Sequence, residues 1–529
     1  MTKKPRVYLY DSTLRDGAQT STVNFSVQNK IQISKMLDNI GIDFIEGGWP
    51  GANPIDDEFF NNLPALQKSS FVAFGMTRRS NASAGNDGSL NSLINSPVQS
   101  ICIVGKSWDF HLTHALHISE RENLAMIEES IKQIIKKKKI AMFDAEHFFD
   151  GFKANSDFAL KVVKTAFNAG AKWIILCDTN GGTIPSEIKS IISEVIKYIP
   201  GENLGIHCHN DTENAVANSI SAVEAGVRQV QGTINGLGER CGNANLVSII
   251  PTLALKMGYD VGINDFQLAN LTKLSHFLDD ILNKESNKFA PYVGKYAFAH
   301  KGGLHVSAVA KNSQSYEHIE PEKVGNKRMI MVSNQAGKSN IINRLKEINL
   351  VSNEEIYGDK ISELVNLVKD QEAKGYAYDS ADASFEILAK KTLSIVPNFF
   401  ELVSFSVLDN RSYDKKGSVI TFAKASIEIK VNNKILKAEA KGNGPVNALD
   451  IALRKALSRK YPILKNIKLC DYKVRILTPS DGTQAITRVQ IESANDKNER
   501  WTTIGVSQNI VDASFRALHD SMTYCLMHQ

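Results

Sequence analysis

From residue 7 to about 240, short apolar runs alternate with longer stretches in which apolar residues recur every three or four positions. Short runs bounded by polar residues or glycine read as buried strands, and the longer stretches as amphipathic helices. Strands are expected at residues 7–13, 44–48, 71–76, 101–104, 140–146, 173–179, 204–209 and 229–234. Helical patterns lie between them at 27–40, 123–135, 156–169, 186–198 and 212–225. Eight such units in roughly 250 residues are what a closed (β/α)8 barrel requires. A doubly wound open sheet is the alternative, but no glycine fingerprint follows the first strand.

Beyond residue 262 the pattern turns helical, with a polar, lysine-rich loop expected at 289–314 and helices joined by loops at 340–385. From about 390 strand patterns return, interrupted by helices. Asn447-Ala448-Leu449-Asp450 with Arg454 recurs as Asn509-Ile510-Val511-Asp512 with Arg516, each expected to open a helix. Two copies of one unit predict a domain with internal two-fold symmetry. The expected fold class is therefore α/β: a TIM barrel (1–275), helical linker subdomains with an active-site loop (276–389), and an α+β regulatory or dimerisation domain (390–529).

The polar motifs fall at the carboxyl ends of the barrel strands, the rim where such barrels gather their chemistry. Arg15 and Asp16 follow strand one, Glu46 ends strand two, and Asp144 and Glu146 end strand five. Thr179 ends strand six and His207 and His209 strand seven, while the loop 236–243 after strand eight ends in Asn243. Alternate side chains of a strand share a face, so His207 and His209 point together while Cys208 points away. Two imidazoles and a carboxylate, Asp16, make a divalent metal site with open positions. Asn243 is a further candidate ligand, its plainer reading being a turn residue after glycine. Arg15 either neutralises Asp16 and Glu46 or holds the charge that develops on a carbonyl oxygen beside the metal. Glu146 is a candidate base, and Thr179 a hydroxyl donor to a carboxylate. The stretch 298–307 places His300 and His305 in a glycine-rich loop suited to closing over a substrate. Gln335-Ala336-Gly337-Lys338-Ser339 ends like a phosphate-binding loop, but Val332 stands where a glycine is required, so no nucleotide site is expected there.

Composition narrows the class. A net charge of +5 spread over 529 residues gives no case for nucleic-acid binding, and Lys136–Lys139 reads as a solvated helix end. No apolar run approaches the roughly 20 residues of a membrane span. The first motif begins at Asp11, leaving no room for a cleavable leader, and six scattered cysteines read as reduced thiols, so a cytoplasmic enzyme is expected.

These motifs resemble the Claisen-condensing branch of the metal-dependent TIM-barrel lyase and synthase family, the isopropylmalate, homocitrate and citramalate synthases. The resemblance covers nearly the whole chain: residues 11–19, His207-Cys208-His209, 236–243, Gly303-Leu304-His305 and the paired carboxy-terminal units. The wording of 46–54, 144–151 and 178–182 resembles the family's pyruvate-using group. It implies an acyltransferase joining acetyl-CoA to pyruvate, with a larger 2-oxo acid as the alternative substrate. It implies a divalent metal (zinc, manganese or magnesium) on Asp16, His207, His209 and Asn243, with Arg15, oriented by Glu46, at the keto oxygen. Thr179 would meet the substrate carboxylate, Glu146 with His305 would take a proton from acetyl-CoA, and Tyr316 would reach a partner subunit's site. It further implies a homodimer that senses a branched-chain product, isoleucine. Asp144 stands where some members carry an aromatic pocket residue. A lyase, an iron-dependent oxygenase and a purely amino-acid-binding role for the carboxy-terminal domain are the competing classes.

Overall fold

The computed structural model describes residues 5–528 except 283, 331–337, 349, 351–357, 397, 414–417 and 497–498. The stretch 335–337 of the phosphate-loop-like sequence lies outside the described residues. The chain divides into two units, residues 1–298 with 319–327, and residues 299–318 with 328–529.

The first unit is a closed barrel of eight parallel strands: β1 (Tyr8–Asp11), β2 (Phe44–Gly48), β3 (Ser70–Met76), β4 (Ser100–Lys106), β5 (Ile140–Glu146), β6 (Trp173–Asp178), β7 (Leu204–Cys208) and β8 (Gln229–Gly232). β1 closes the ring on β8, with Tyr8 opposite Gln229 and Asp11 opposite Gly232. The strands are buried on both faces. Ile101, Ile103, Ile174 and Leu176 pack outward beneath the helices, whereas Cys102, Trp173, Ile175 and Cys177 fill the barrel with Tyr10, Val72, Phe74 and Met142. This two-residue alternation also sorts strand seven. Cys208 joins the outer layer, leaving His207 and His209 to the inside.

The helices begin where side chains satisfy their first amides. Ser26 caps Val27–Ile40 by accepting from Asn29 N, Ser119 caps Glu120–Lys136, and Asn155 caps Ser156–Asn168. Of the lysine run, Lys136 to Lys138 are exposed, but Lys139 turns inward and donates to the carbonyls of Ser96 and Val98 at 2.5 and 2.8 Å.

The second unit opens with β9 (Ala299–His300) paired with β10 (Met329–Ile330). The helices Lys338–Glu347, Gly358–Ala373 and Asp382–Thr392 bury Ile341, Leu345, Leu364, Val368 and Phe385 together. Then one motif occurs twice. β11 (Glu401–Tyr413), β12 (Val419–Val431) and β13 (Lys434–Gly442) form an antiparallel sheet covered by the helix Pro445–Leu457. β14 (Lys468–Ile476), β15 (Thr487–Ala494) and β16 (Arg500–Ser507) form another, covered by Ile510–Met527. The expected repeat is therefore present, with a difference in phase. Asn509 is the N-cap of its helix, accepting from Val511 and Asp512 amides, but Pro445 starts the other helix before Asn447 is reached. The i, i+4 pairs Asp450–Arg454 and Asp512–Arg516 recur in both, at 2.9 and 3.0 Å.

One expectation needs correcting. Residues 289–314 are not a continuous loop: Gly303–Lys311 is a helix, so His305 stands in a helix's first turn.

Candidate metal centre and active site

The turn after β1 is wound around one carbonyl. The amides of Arg15, Asp16 and Gly17 all donate to Ser12 O at 3.1, 2.9 and 3.1 Å, and Ser12 N is held by Gly232 O at 2.9 Å. Thr13 adds a second tie, donating from its hydroxyl to Asp11 and accepting from Ile234 N. Arg15 and Asp16 are thereby fixed beside the end of β8.

The loop after β8 doubles back on β7. Asn210 N donates to Gly242 O and Ala244 N to Cys208 O, which lays Asn243 beside His209. Gly242 has φ +91° and a side chain there would sit 2.0 Å from Gly236 O, so only glycine allows the return. A side chain at Gly238 would meet the Asn243 amide oxygen at 2.2 Å.

Asp16, His207 and His209 are all buried and bring three ligand atoms within 4.8 Å of one another. His207 Nε2 lies 3.2 Å from Asp16 Oδ2, and Asn243 Nδ2 donates to the same oxygen at 2.6 Å. His209 Nδ1 and Asn243 Oδ1 are buried without a hydrogen-bond partner, a cost that a bound cation would relieve. The electrostatics suit one. Burial alone would raise the Asp16 pKa, but Arg15 and His207 hold it well below the usual carboxylate range. Burial and the neighbouring His207 push His209 down to about 4, so that ring is neutral at working pH, as a ligand must be. Burial opposes protonation of His207, yet Asp16 overrides it and raises that imidazole.

Arg15 completes the group. Its Nη1 is 3.4 Å from Asp16, its Nε donates to Glu46 Oε2 at 2.7 Å, and its guanidinium lies 3.9 Å over the Phe74 ring. Tyr10 donates to the other Glu46 oxygen at 2.7 Å. Burial raises the Glu46 pKa, and Arg15 partly offsets it. A cation boxed between carboxylate and ring has a single orientation, which suits it to meet charge developing on an oxygen near the metal.

Of the other expected residues, Glu146 pairs with Lys106 at the neighbouring strand end. Thr179 accepts from His147 N at 2.8 Å through its hydroxyl oxygen, while Arg240 takes the Thr179 carbonyl and grips Asp211 through two bonds of 2.7 and 2.8 Å. Asp144 is not part of an open wall. It is buried, accepting from Cys102 Sγ at 3.2 Å and from Gln231 Nε2 at 3.3 Å. His305 and Tyr316 belong to the second unit, where their rings stack 4.1 Å apart and both are exposed. His300 is committed elsewhere, its Nε2 lying 3.1 Å from buried Glu317, which Arg328 also grips.

Sequence reading missed Tyr10, Lys106, Gln231 and Arg240. A signal existed for Gln231. Buried parallel strands read as continuous apolar runs, so glutamines at alternate positions 229 and 231 mark inward-facing polar side chains.

Comparisons with known proteins match the chain in three successive segments. The HMGL-like family matches residues 6–276, the homocitrate synthase post-HMGL domain-like family 292–374, and the LeuA allosteric (dimerisation) domain 379–526. An (R)-citramalate synthase of Geobacter sulfurreducens is 49% identical over 98% of this chain and 97% of its own length. One from Aquifex aeolicus is 47% identical over 99% and 98%. A 2-isopropylmalate synthase of Methanocaldococcus jannaschii is 32% identical over 98% and 95%. With a barrel, a middle segment and a carboxy-terminal domain matched in order, the chain belongs to the HMGL-like family, in the branch that holds the (R)-citramalate synthases and 2-isopropylmalate synthases.

Proposed function

We propose that this chain is an acyltransferase that condenses acetyl-CoA with pyruvate and hydrolyses the thioester, giving (R)-citramalate and CoA for isoleucine synthesis. Identities of 40–49% to five (R)-citramalate synthases, against 30–33% to the 2-isopropylmalate synthases, favour pyruvate over a larger 2-oxo acid. The observation that carries the reading is the convergence of Asp16, His207 and His209 with Arg15 at one buried point.

In this reading Asp16, His207, His209 and the Asn243 amide oxygen hold a divalent cation, which when bound polarises the keto acid as a Lewis acid. Arg15, oriented by Glu46, receives the negative charge on the keto oxygen. Thr179, fixed by the His147 amide, retains a hydroxyl proton to donate to the substrate carboxylate. Glu146 and His305 take the methyl proton from acetyl-CoA, with Tyr316 assigned to substrate binding. A three-part division at 1–275, 276–389 and 390–529 is proposed, supported by the order of the three matched families. The last part is proposed to dimerise and to sense isoleucine. Among the described residues no helix is long and apolar enough to cross a membrane, and all six cysteines are free thiols. Both features support a cytoplasmic enzyme.

The test is CoA release with pyruvate, 2-oxoisovalerate and 2-oxoglutarate in parallel. A clear preference for pyruvate is expected; preference for either larger acid overturns the substrate assignment.

A further inference from the structure

We propose that Gln231 is a positioning residue for the cation site, one that fixes which nitrogen of His207 faces the metal. His207 and Gln231 are direct register partners across β7 and β8, so their side chains stand next to each other inside the barrel. His207 Nδ1 lies 2.9 Å from Gln231 Oε1, and Gln231 Nε2 donates to Asp144 Oδ1 at 3.3 Å. Cys102 Sγ donates to that same Asp144 oxygen at 3.2 Å. His207, Gln231, Asp144 and Cys102 are all at most 5% exposed, so no water competes for these bonds.

The chain of bonds has a direction. A carboxylate only accepts, so Asp144 fixes which end of the Gln231 amide faces it: the NH2. The carbonyl end is left facing His207, and a carbonyl only accepts, so the proton must sit on Nδ1. Nε2 faces Asp16 Oδ2 at 3.2 Å, so its proton is the one a cation would displace, leaving the Nε2 lone pair for the metal. A reversed amide would offer an N–H to Nδ1, favour the proton on Nε2 and close the site. Asp144, near the carboxyl end of β5, thus acts on the proposed metal ligand through Gln231. Partners of this kind typically tune metal affinity by roughly 10- to 100-fold.

The inference rests on the metal-site reading, and its test separates the two. Metal-free full-length protein is titrated with zinc against a fluorescent chelator, for the wild type, Gln231→Leu and Gln231→Glu. Leucine removes the acceptor and should weaken zinc binding roughly 10- to 100-fold in a protein that still melts cooperatively without metal. Glutamate keeps an acceptor for Nδ1–H, and its other oxygen shares one proton with Asp144 in place of the lost N–H, so zinc affinity should stay within about threefold of the wild type. A folded Gln231→Leu protein within threefold of the wild type, or a Gln231→Glu protein as weak as it, overturns the proposal. Should the leucine variant not fold, the glutamate result stands beside a 15N-histidine spectrum of the zinc-loaded wild type, in which His207 must carry its proton on Nδ1; zinc on Nδ1 overturns the proposal. A wild type that binds no zinc, manganese or magnesium defeats the metal-site reading itself, a result distinct from any of these.

Discussion

Arg15 and Glu46, thirty-one residues apart, form a 2.7 Å charged hydrogen bond in which the carboxylate is fully buried and the guanidinium almost so. A buried pair of this kind is a poor source of stability but a good way to fix a direction. Its effect should therefore be read in rates. Arg15→Ala is expected to lower kcat by about 100- to 1,000-fold, the scale of losing one donor to a developing oxyanion. Glu46→Gln, which keeps the shape but loosens the aim, should lose about 10- to 100-fold, with KM for pyruvate moving less than kcat. Steady-state kinetics on both variants checks this, and near-normal turnover in Arg15→Ala removes that residue from the reaction.

Chelation should abolish activity and lower the melting temperature together. A ligand that binds only the folded state at a hundred times its Kd adds about 2.7 kcal/mol. Exhaustive dialysis against EDTA, followed by zinc, manganese or magnesium, should remove and restore both properties. Full activity in metal-free protein would contradict the site.

Asp11 gives stability an unusual pH slope. Burial lifts its carboxyl to about 7, against the two bonds it accepts from Thr13. An unfolded aspartate ionises near 3.9, so between about pH 4 and 7 the unfolded chain has released this proton and the folded chain has not. The stability from this group is complete below pH 4 and drains away as pH rises to 7. Asp11→Asn lacks this slope. The melting temperature of the wild type minus that of the variant should thus fall from pH 4 to 7 and level off above it. A difference that stays flat over that range would show Asp11 ionised in the folded protein.

Gly151 is a packing requirement at the rim. A side chain there would lie 2.3 Å from Ser107 O, and the Ser107 hydroxyl in turn donates to Glu146 O at 2.6 Å. Gly151→Ala must push the helix Phe148–Ala154 away from the end of β4, disturbing Glu146 and the His147 amide that holds Thr179. A loss of about 1–3 kcal/mol in denaturant unfolding is expected, with a larger relative loss in kcat/KM than in stability.

Isoleucine should lower the activity of the full-length enzyme and raise the melting temperature of the carboxy-terminal domain, with leucine and valine weaker. An enzyme indifferent to isoleucine and leucine would leave that domain an assembly device only.

Most of the barrel was legible because a parallel sheet buried on both faces writes short apolar runs at regular spacing, and the His207/His209 pair could be placed on one face by parity alone. The ends of β1, β6, β7 and β8 come one or two residues earlier than the pattern implies, and that of β4 two residues later. The pattern ran β1 to Thr13, but residues 12 to 17 fold onto Ser12 O, a backbone event with no side-chain signature. Gly302 and Gly303 masked the helix at His305, whose continuation through Ala308 and Ala310 was a fair helical signal. The repeat was found through Asp450/Arg454 and Asp512/Arg516, yet its phase was misread because Pro445 governs one helix start and Asn509 the other. What no single strand reveals is which side chains pair across neighbouring strands: Tyr10 with Glu46, Lys106 with Glu146, Gln231 with His207. Those pairings exist only once register is set.

Closure of β1 on β8 has a consequence for how the enzyme is made. The carboxylate proposed as a ligand, Asp16, is made some 190 residues before both imidazoles, and the amide at 243 follows later still. A growing polypeptide cannot gather them until its first strand has found its last. Occupancy of the proposed site by a cation would then mark the moment the ring is sealed, giving such an ion a second role as a seal on correct assembly.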